Sequence, residues 1–195
     1  MRTWICTLFF ILILMTKIAN AQTMGDTSSS LNYTYLGPVL SIAHNKVEYT
    51  DWFPDSNSTE TKKVSGNIIS GGLTFNIFAD EFCGDLQIKY AINSLEETLK
   101  YIEVSVSGKY FFYKMNNYFS LGGGLGMYLE IPMPSEKNNG SAGLQLPLTI
   151  LIETSRDTNL FLDVYARYGT FGIGEDTNSI SVGTNIGFIF KVGRI

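Results

Sequence analysis

From about residue 36 onward, apolar and polar residues alternate along the chain with a period of two. This spacing places the apolar side chains of each stretch on one face of a β-strand. Helical spacing is nearly absent, so the pattern predicts an all-β protein. The clearest example is the stretch 85–93, in which four apolar residues are separated by polar or small ones: Leu86, Ile88, Tyr90 and Ile92.

Eight such runs follow one another along the chain. Most exceed the usual strand length in soluble proteins and suit a tilted strand crossing a bilayer, which needs roughly nine to eleven residues. An even number of consecutive antiparallel strands is typical of up-and-down membrane barrels. Pro147, in the middle of the sixth run, predicts a bulge or a local widening. The predicted strands are 36–49, 65–78, 82–93, 100–114, 118–130, 142–154, 159–168 and 179–194.

The connections between the runs alternate between short and long. In an up-and-down barrel this order places every short turn at one rim and every long loop at the other, with both termini on the short-turn side. The long loops are rich in Asn, Ser, Asp, Glu, Gly and Pro. Short turns are predicted at 79–81, 115–117 and 155–158, and long loops at 50–64, 94–99, 131–141 and 169–178.

Alternation alone does not decide whether the apolar face points inward, as in a soluble lipid-binding barrel, or outward, towards lipid. The polar face lacks the dense Lys and Glu coating of a water-exposed sheet. It holds small residues such as Ser105, Ser107 and Gly124, together with isolated charges of both signs. We therefore predict an eight-stranded antiparallel up-and-down transmembrane β-barrel with its polar face inside.

Aromatic residues collect near both ends of the runs. Amphipathic rings prefer the headgroup level of a membrane, so this placement predicts one aromatic belt at each rim. The predicted belts are Phe78, Phe82, Phe112, Tyr113, Tyr118 and Phe119 near the short turns, and Tyr49, Trp52, Tyr101, Tyr128 and Tyr168 near the long loops.

The isolated charges on the polar face are predicted to form an interior ion-pair network. A buried charge is costly unless it is paired, so the role of this network would be structural. Its predicted members are Asp85, Lys89, Glu103, Lys109, Glu153, Asp163, Arg167 and Lys191.

The first residues have the composition of an export signal. Arg2 supplies a positive start, residues 5–15 an apolar stretch, and residues 19–21 a small-x-small cleavage site. We expect residues 1–21 to be removed, leaving an N-terminal extension at 22–35 and a barrel domain at 36–195. A formal net charge of -4, with scattered Lys and Arg, predicts no nucleic-acid partner.

The closing stretch of the chain resembles the C-terminal β-signal that the outer-membrane assembly machinery reads. Asn185, Gly187, Phe190 and Val192 occupy its polar, glycine and apolar positions. With the eight runs, the mature chain resembles small outer-membrane β-barrel proteins of the OmpA/OmpX/OmpW type. The resemblance implies a place in the bacterial outer membrane, with outer-membrane lipid and the assembly machinery as partners. It also implies a lumen filled with side chains or a very narrow channel.

No enzyme, cofactor or metal chemistry is predicted. After the signal, the chain has one His and one Cys, too few for a transition-metal site. A hydrolytic triad would need His44, an acid such as Glu48 and a nearby Ser nucleophile. Cys83 has no second cysteine to pair with and is predicted to be a small buried strand residue.

The leading functional hypothesis is an integral outer-membrane protein whose long loops, above all 50–64 and 131–141, contact host, phage or neighbouring proteins. Exposed loops on a rigid scaffold are where recognition usually resides. The alternatives are a narrow pore or conduit for small, apolar molecules, a soluble exported lipid-binding barrel, and an enzyme acting on lipid.

Overall fold

The computed structural model describes residues 32–53, 58–95, 98–115, 118–133, 141–171 and 178–194. Within these ranges the regular elements are all β-strands, and no helix there is long and apolar enough to cross a membrane. The predicted signal peptide, residues 1–21, lies outside the described residues.

Eight strands follow in the predicted order, and each pairs with the next. The last strand pairs with the first, so the sheet closes on itself. All eight pairings are antiparallel, which confirms the predicted fold class. The strands are β1 (Tyr33–Phe53), β2 (Ser58–Ala79), β3 (Phe82–Ser94), β4 (Thr98–Met115), β5 (Phe119–Pro132), β6 (Ser141–Ser155), β7 (Thr158–Phe171) and β8 (Asn178–Arg194).

The outward-facing residues of the barrel wall are mostly apolar. Ile42 is 66% exposed, Ile69 64% and Leu146 59%, whereas the neighbouring Gln145 is buried. A soluble barrel has the opposite arrangement, because water solvates its exterior and the apolar residues pack inside. An apolar wall around a polar lumen is the arrangement found in transmembrane barrels. The alternative of a soluble lipid-binding barrel is therefore wrong.

The two rims differ in the predicted way at the β5–β6 and β7–β8 connections, but the loop predicted at 94–99 is shorter than expected, because only residues 95–97 separate β3 from β4. Residues 80–81 alone connect β2 to β3, and residues 156–157 alone connect β6 to β7. Asp80 adopts a positive φ of 54°, which Asp tolerates in a tight turn. At the opposite rim, β5 and β6 are separated by residues 133–140, and β7 and β8 by residues 172–177.

The predicted loop at 50–64 is wrong over most of its length. β1 and β2 remain paired as far as Phe53 opposite Ser58. The pairing of β2 with β3 ends at Ile68, and that of β1 with β8 ends at Glu48. The hairpin therefore continues past the closed wall as a two-stranded ribbon. Its polar composition indicated a loop, but it is also rich in Thr, which favours strands.

Pro147 interrupts one ladder of the barrel. β5 and β6 pair at Gly123 opposite Leu148 and again at Gly126 opposite Gln145, without a pair between them. The register is the same on both sides of the gap, so there is no bulge. Proline has no N–H to donate to the neighbouring strand, which accounts for the interruption. Of the two predicted outcomes, the structure therefore favours a local opening of the ladder.

The aromatic belts are confirmed only in part. Tyr168 is exposed towards the long-loop rim, but Tyr101 and Tyr128 are buried inside the barrel. Both occupy inward positions of the alternation, so proximity to a rim did not predict their direction. Of the belt predicted near the short turns, Phe82, Phe112, Tyr113 and Tyr118 are exposed, whereas Phe78 packs against the apolar cluster inside the barrel. The side chains of Tyr49 and Trp52 lie outside the described part of the chain.

Leu146→Arg should destabilise the barrel in lipid vesicles by about 2–4 kcal/mol, because the substitution places a charge on the lipid-facing side of β6, near the middle of the strand. Ala142→Arg, on the same face of β6 but near its end, is the matched control, with an expected cost of about 0–1 kcal/mol. Denaturant titration followed by circular dichroism measures both values. Equal, small losses would show that this face is not in hydrocarbon.

Candidate functional site

Charged side chains collect in the middle of the barrel lumen. They form two groups, each built around a central residue that contacts two oppositely charged partners. All six residues are between 1% and 4% exposed. We call them the lower triad, nearer the short turns (Asp85, Lys109 and Asp163), and the upper triad, nearer the long loops (Lys89, Glu103 and Arg167).

In the lower triad, one ammonium group lies between two carboxylates. Lys109 Nζ is 3.0 Å from Asp85 Oδ2 and 3.0 Å from Asp163 Oδ2. The other carboxylate oxygens accept hydroxyl hydrogen bonds, from Thr74 Oγ1 at 2.8 Å to Asp85 and from Thr149 Oγ1 at 2.6 Å to Asp163. These contacts satisfy both acids and connect β4 to β3 and β7.

In the upper triad, one carboxylate oxygen contacts two cationic side chains. Glu103 Oε1 is 2.7 Å from Lys89 Nζ and 2.5 Å from Arg167 Nη2. Lys89 also donates to Asn185 Oδ1 at 3.1 Å, and Arg167 Nε donates to Gln145 Oε1 at 3.2 Å. The upper triad therefore joins β3, β4 and β7 directly, and reaches β6 and β8 through the two amides.

The guanidinium of Arg167 is further held by aromatic rings. It lies 4.4 Å from the centroid of the Tyr165 ring and 4.7 Å from that of Tyr128, both within cation–π range. The Tyr165 hydroxyl lies 3.0 Å from Ser41 Oγ on β1. The ion pair with Glu103, the hydrogen bond to Gln145 and the two ring contacts together hold the Arg167 side chain in the lumen.

The interior beneath the lower triad, towards the short turns, is mostly apolar, with the buried amides of Asn76 and Asn159 among the apolar side chains. Cys83 is buried there, as predicted, and the Phe78 and Phe111 rings stack at a centroid distance of 6.0 Å. This cluster lies at the short-turn end of the lumen among the described residues. Its buried members are Tyr35, Val39, Cys83, Phe111, Leu151, Phe161 and Ile189.

The structure brings together six of the eight charged residues predicted to meet. Glu153 is exposed near the end of β6, and Lys191 is only partly buried near the end of β8. Lys191 Nζ lies 3.3 Å from the centroid of the Tyr33 ring instead of joining a triad. Both residues occupy inward positions of the alternation, but they lie at the rim, where water solvates their charge.

Glu130 was missed by the sequence analysis. It is 5% exposed and lies directly opposite Glu103 in the β4–β5 register. It shares the inward face of β5 with Gly126 and Tyr128, so alternation alone identifies its direction. It is the last residue of the predicted run 118–130 and was not among the predicted lumen charges, whereas β5 continues to Pro132.

The predicted β-signal residues divide between the two faces of β8. Asn185 is buried and Gly187 also faces inward, whereas Phe190 and Val192 are exposed on the outer wall. A side chain at Gly187 would overlap the Phe161 ring, so packing alone requires glycine there. Recognition of this pattern by the assembly machinery stays a prediction.

His44 and Glu48, the residues considered for a hydrolytic triad, contact other side chains. His44 faces outward, and its Nδ1 lies 3.1 Å from Asn67 Oδ1. Glu48, the acid considered for that triad, instead lies 3.4 Å from Lys63 Nζ. Across the described ranges, no group of three or more His, Cys, Asp and Glu side chains is placed to hold a metal ion.

No protein family model and no curated protein sequence matches the chain. Among solved structures, it is similar to Neisserial surface protein A at 13% identity and a TM-score of 0.48, covering 80% of this chain and 97% of that one. It is similar to Ail of Yersinia pestis at 14% identity and a TM-score of 0.44, covering 81% and 99%. It is also similar to the N-terminal β-barrel domain of Pseudomonas aeruginosa OprF at 13% identity and a TM-score of 0.37, covering 79% and 99%. These similarities are too distant to transfer a function.

Arg167→Ala should destabilise the barrel by about 3–5 kcal/mol, because it removes a cation from a buried, bonded carboxylate. The measurement is the temperature at which the folded band disappears on gels of unboiled samples. Arg156→Ala, in the exposed turn after β6, removes the same charge and should leave that temperature unchanged. An unchanged temperature for both variants would refute a structural role for the upper triad.

Lys109→Met should be at least as damaging, because it leaves Asp85 and Asp163 without the cation between them. The expected loss is again about 3–5 kcal/mol in a denaturant titration. Lys191→Met makes the same change at the rim, and we expect a loss of less than about 1 kcal/mol. Similar losses for both variants would argue against the lower triad as a stabilising contact.

Proposed function

We propose that the chain is an integral protein of the bacterial outer membrane that serves as a rigid scaffold for surface recognition. The proposal depends on one observation: the outer wall is apolar while the lumen is filled by side chains that contact one another. A wall that faces lipid and a filled lumen leave the long-loop rim as the place for a partner.

Membrane placement is supported by the wall and by the two ends of the sequence. Lipid-facing residues such as Leu40 and Leu146 are more than half exposed, which is unfavourable in water. The export signal expected at 1–21 and the β-signal at the C-terminal strand fit delivery through the outer-membrane assembly machinery.

The lumen argues against a conduit for solutes. Contacts between Lys109 and Asp163, and between Lys89 and Asn185, join strands that are not neighbours in the sheet. The apolar cluster occupies the short-turn end. Eight strands leave a bore only wide enough for side chains, and here the described side chains occupy it.

The long-loop rim has the features of a recognition surface. The β1–β2 ribbon continues past the closed wall, and its described residues Thr61, Lys62, Lys63 and Ser65 are exposed and polar, as in contact with water. The connections at 133–140 and 172–177 leave the barrel at the same rim. Loops held by a rigid scaffold commonly carry binding function.

The test compares cells that display the natural chain with cells in which residues 134–140 are replaced by a Gly/Ser linker of equal length. We expect the replacement to abolish adhesion to host cells or phage adsorption, without changing heat-modifiable migration on gels. Replacement of the short turn 156–157 by Asn-Gly is the control and should preserve binding.

Two results would contradict the proposal. The first is binding that survives replacement of both 134–140 and 172–177 together with the tip of the β1–β2 ribbon. The second is stepwise current from the purified barrel in planar bilayers, which would favour the narrow-pore alternative.

A further inference from the structure

The buried charges of the described interior do not balance. Its carboxyl groups outnumber its cationic side chains by one, and a buried charge without a partner is strongly unfavourable in a lumen surrounded by hydrocarbon. One additional positive charge is therefore required if the interior is neutral. The carboxyl groups are Asp85, Glu103, Glu130 and Asp163, and the cations are Lys89, Lys109 and Arg167.

The strand register shows which two carboxyl groups would repel each other. Glu103 and Glu130 lie directly opposite each other on β4 and β5, and both face inward. The Cβ atoms of directly opposite residues are about 5 Å apart, and like charges in such a pair repel. The two acids of the lower triad avoid this conflict because Lys109 lies between them.

One oxygen of this pair has no donor. Glu103 Oε1 takes both cations of the upper triad, whereas Oε2 is buried and has no hydrogen-bond partner. An ionised carboxylate oxygen only accepts hydrogen bonds, and Glu130 is able to donate one only if it carries a proton. We propose that Glu103 and Glu130 share one proton, carried by Glu130 and donated to Glu103 Oε2.

The groups around Glu130 are consistent with this assignment. Tyr101 on β4 and Ser141 on β6 lie beside it, and Arg167 on β7 is a cation that acts on it. The guanidinium of Arg167 is already bonded to Glu103 and Gln145. Arg167 and Lys89, which both contact Glu103, would repel a metal cation bound here. A proton is favoured instead, because it lies within the hydrogen bond between the two acids.

The shared proton makes the two triads compensate each other. With Glu130 neutral, the upper triad carries one net positive charge and the lower triad one net negative charge. The folded barrel then holds a proton that Glu130 of the unfolded chain has released to water at neutral pH. Because the folded state then binds one more proton than the unfolded chain, stability falls as the pH rises, until the folded pair loses its proton as well.

Infrared spectroscopy of the folded barrel in lipid tests this directly. At neutral pH we expect the carbonyl band of a protonated carboxyl group, shifted by 13C-glutamate labelling but not by 13C-aspartate labelling. Glu130→Gln, which keeps an N–H donor but does not ionise, should abolish the band. Glu153→Gln removes an exposed acid at the rim and should leave the band unchanged.

The pH dependence of stability gives a second readout. Between about pH 5 and about pH 8 the unfolding midpoint of the natural chain and of Glu153→Gln should fall, whereas that of Glu130→Gln should stay level. Absence of the labelled carboxyl band in the natural chain overturns the proposal, even if Glu130→Gln fails to fold. So does a midpoint that rises with Na⁺, but not with tetramethylammonium, at constant pH and ionic strength.

Discussion

The pairing of buried charges across the lumen is the interaction on which this barrel depends. Lipid on the outside offers no hydrophobic gain for an apolar wall, and every polar group within the membrane must find its partner inside the protein. The backbone N–H and C=O groups of the wall form hydrogen bonds between neighbouring strands, because the sheet closes on itself. The inward side chains must then satisfy one another, and Lys109 and Arg167 do so by contacting acids on other strands.

This constraint accounts for how the interior is layered. Ionic groups occupy the middle, where the hydrocarbon is most distant from water and complete pairing matters most. At the short-turn end, apolar side chains such as Phe111 and Phe161 need no partners and fill the space by packing. Glycines on the inward face, such as Gly187, make room for these rings. The result is a cylinder cross-linked through its interior.

Much of the fold was accessible from the sequence, because the direction of a side chain in a strand is a local property. Period-two alternation gave the strands, their order and their inward and outward faces, and the alternation of turn lengths gave the two rims. The prediction failed where it was based on polar composition and not on the alternation, as for the Thr-rich ribbon of β1 and β2, which was predicted to be a loop. It also failed where the direction of a side chain was inferred from its closeness to a rim and not from its position in the alternation, as for Tyr101 and Tyr128.

The sequence by itself determined that this chain is a closed antiparallel sheet with an apolar exterior, and which residues face its lumen. It did not determine which lumen charges meet. That depends on strand register and tilt, which set the height of each side chain and join residues far apart in the chain. Only the tertiary structure places Glu130 opposite Glu103, brings Lys109 to Asp163, and leaves Glu153 at the rim in water.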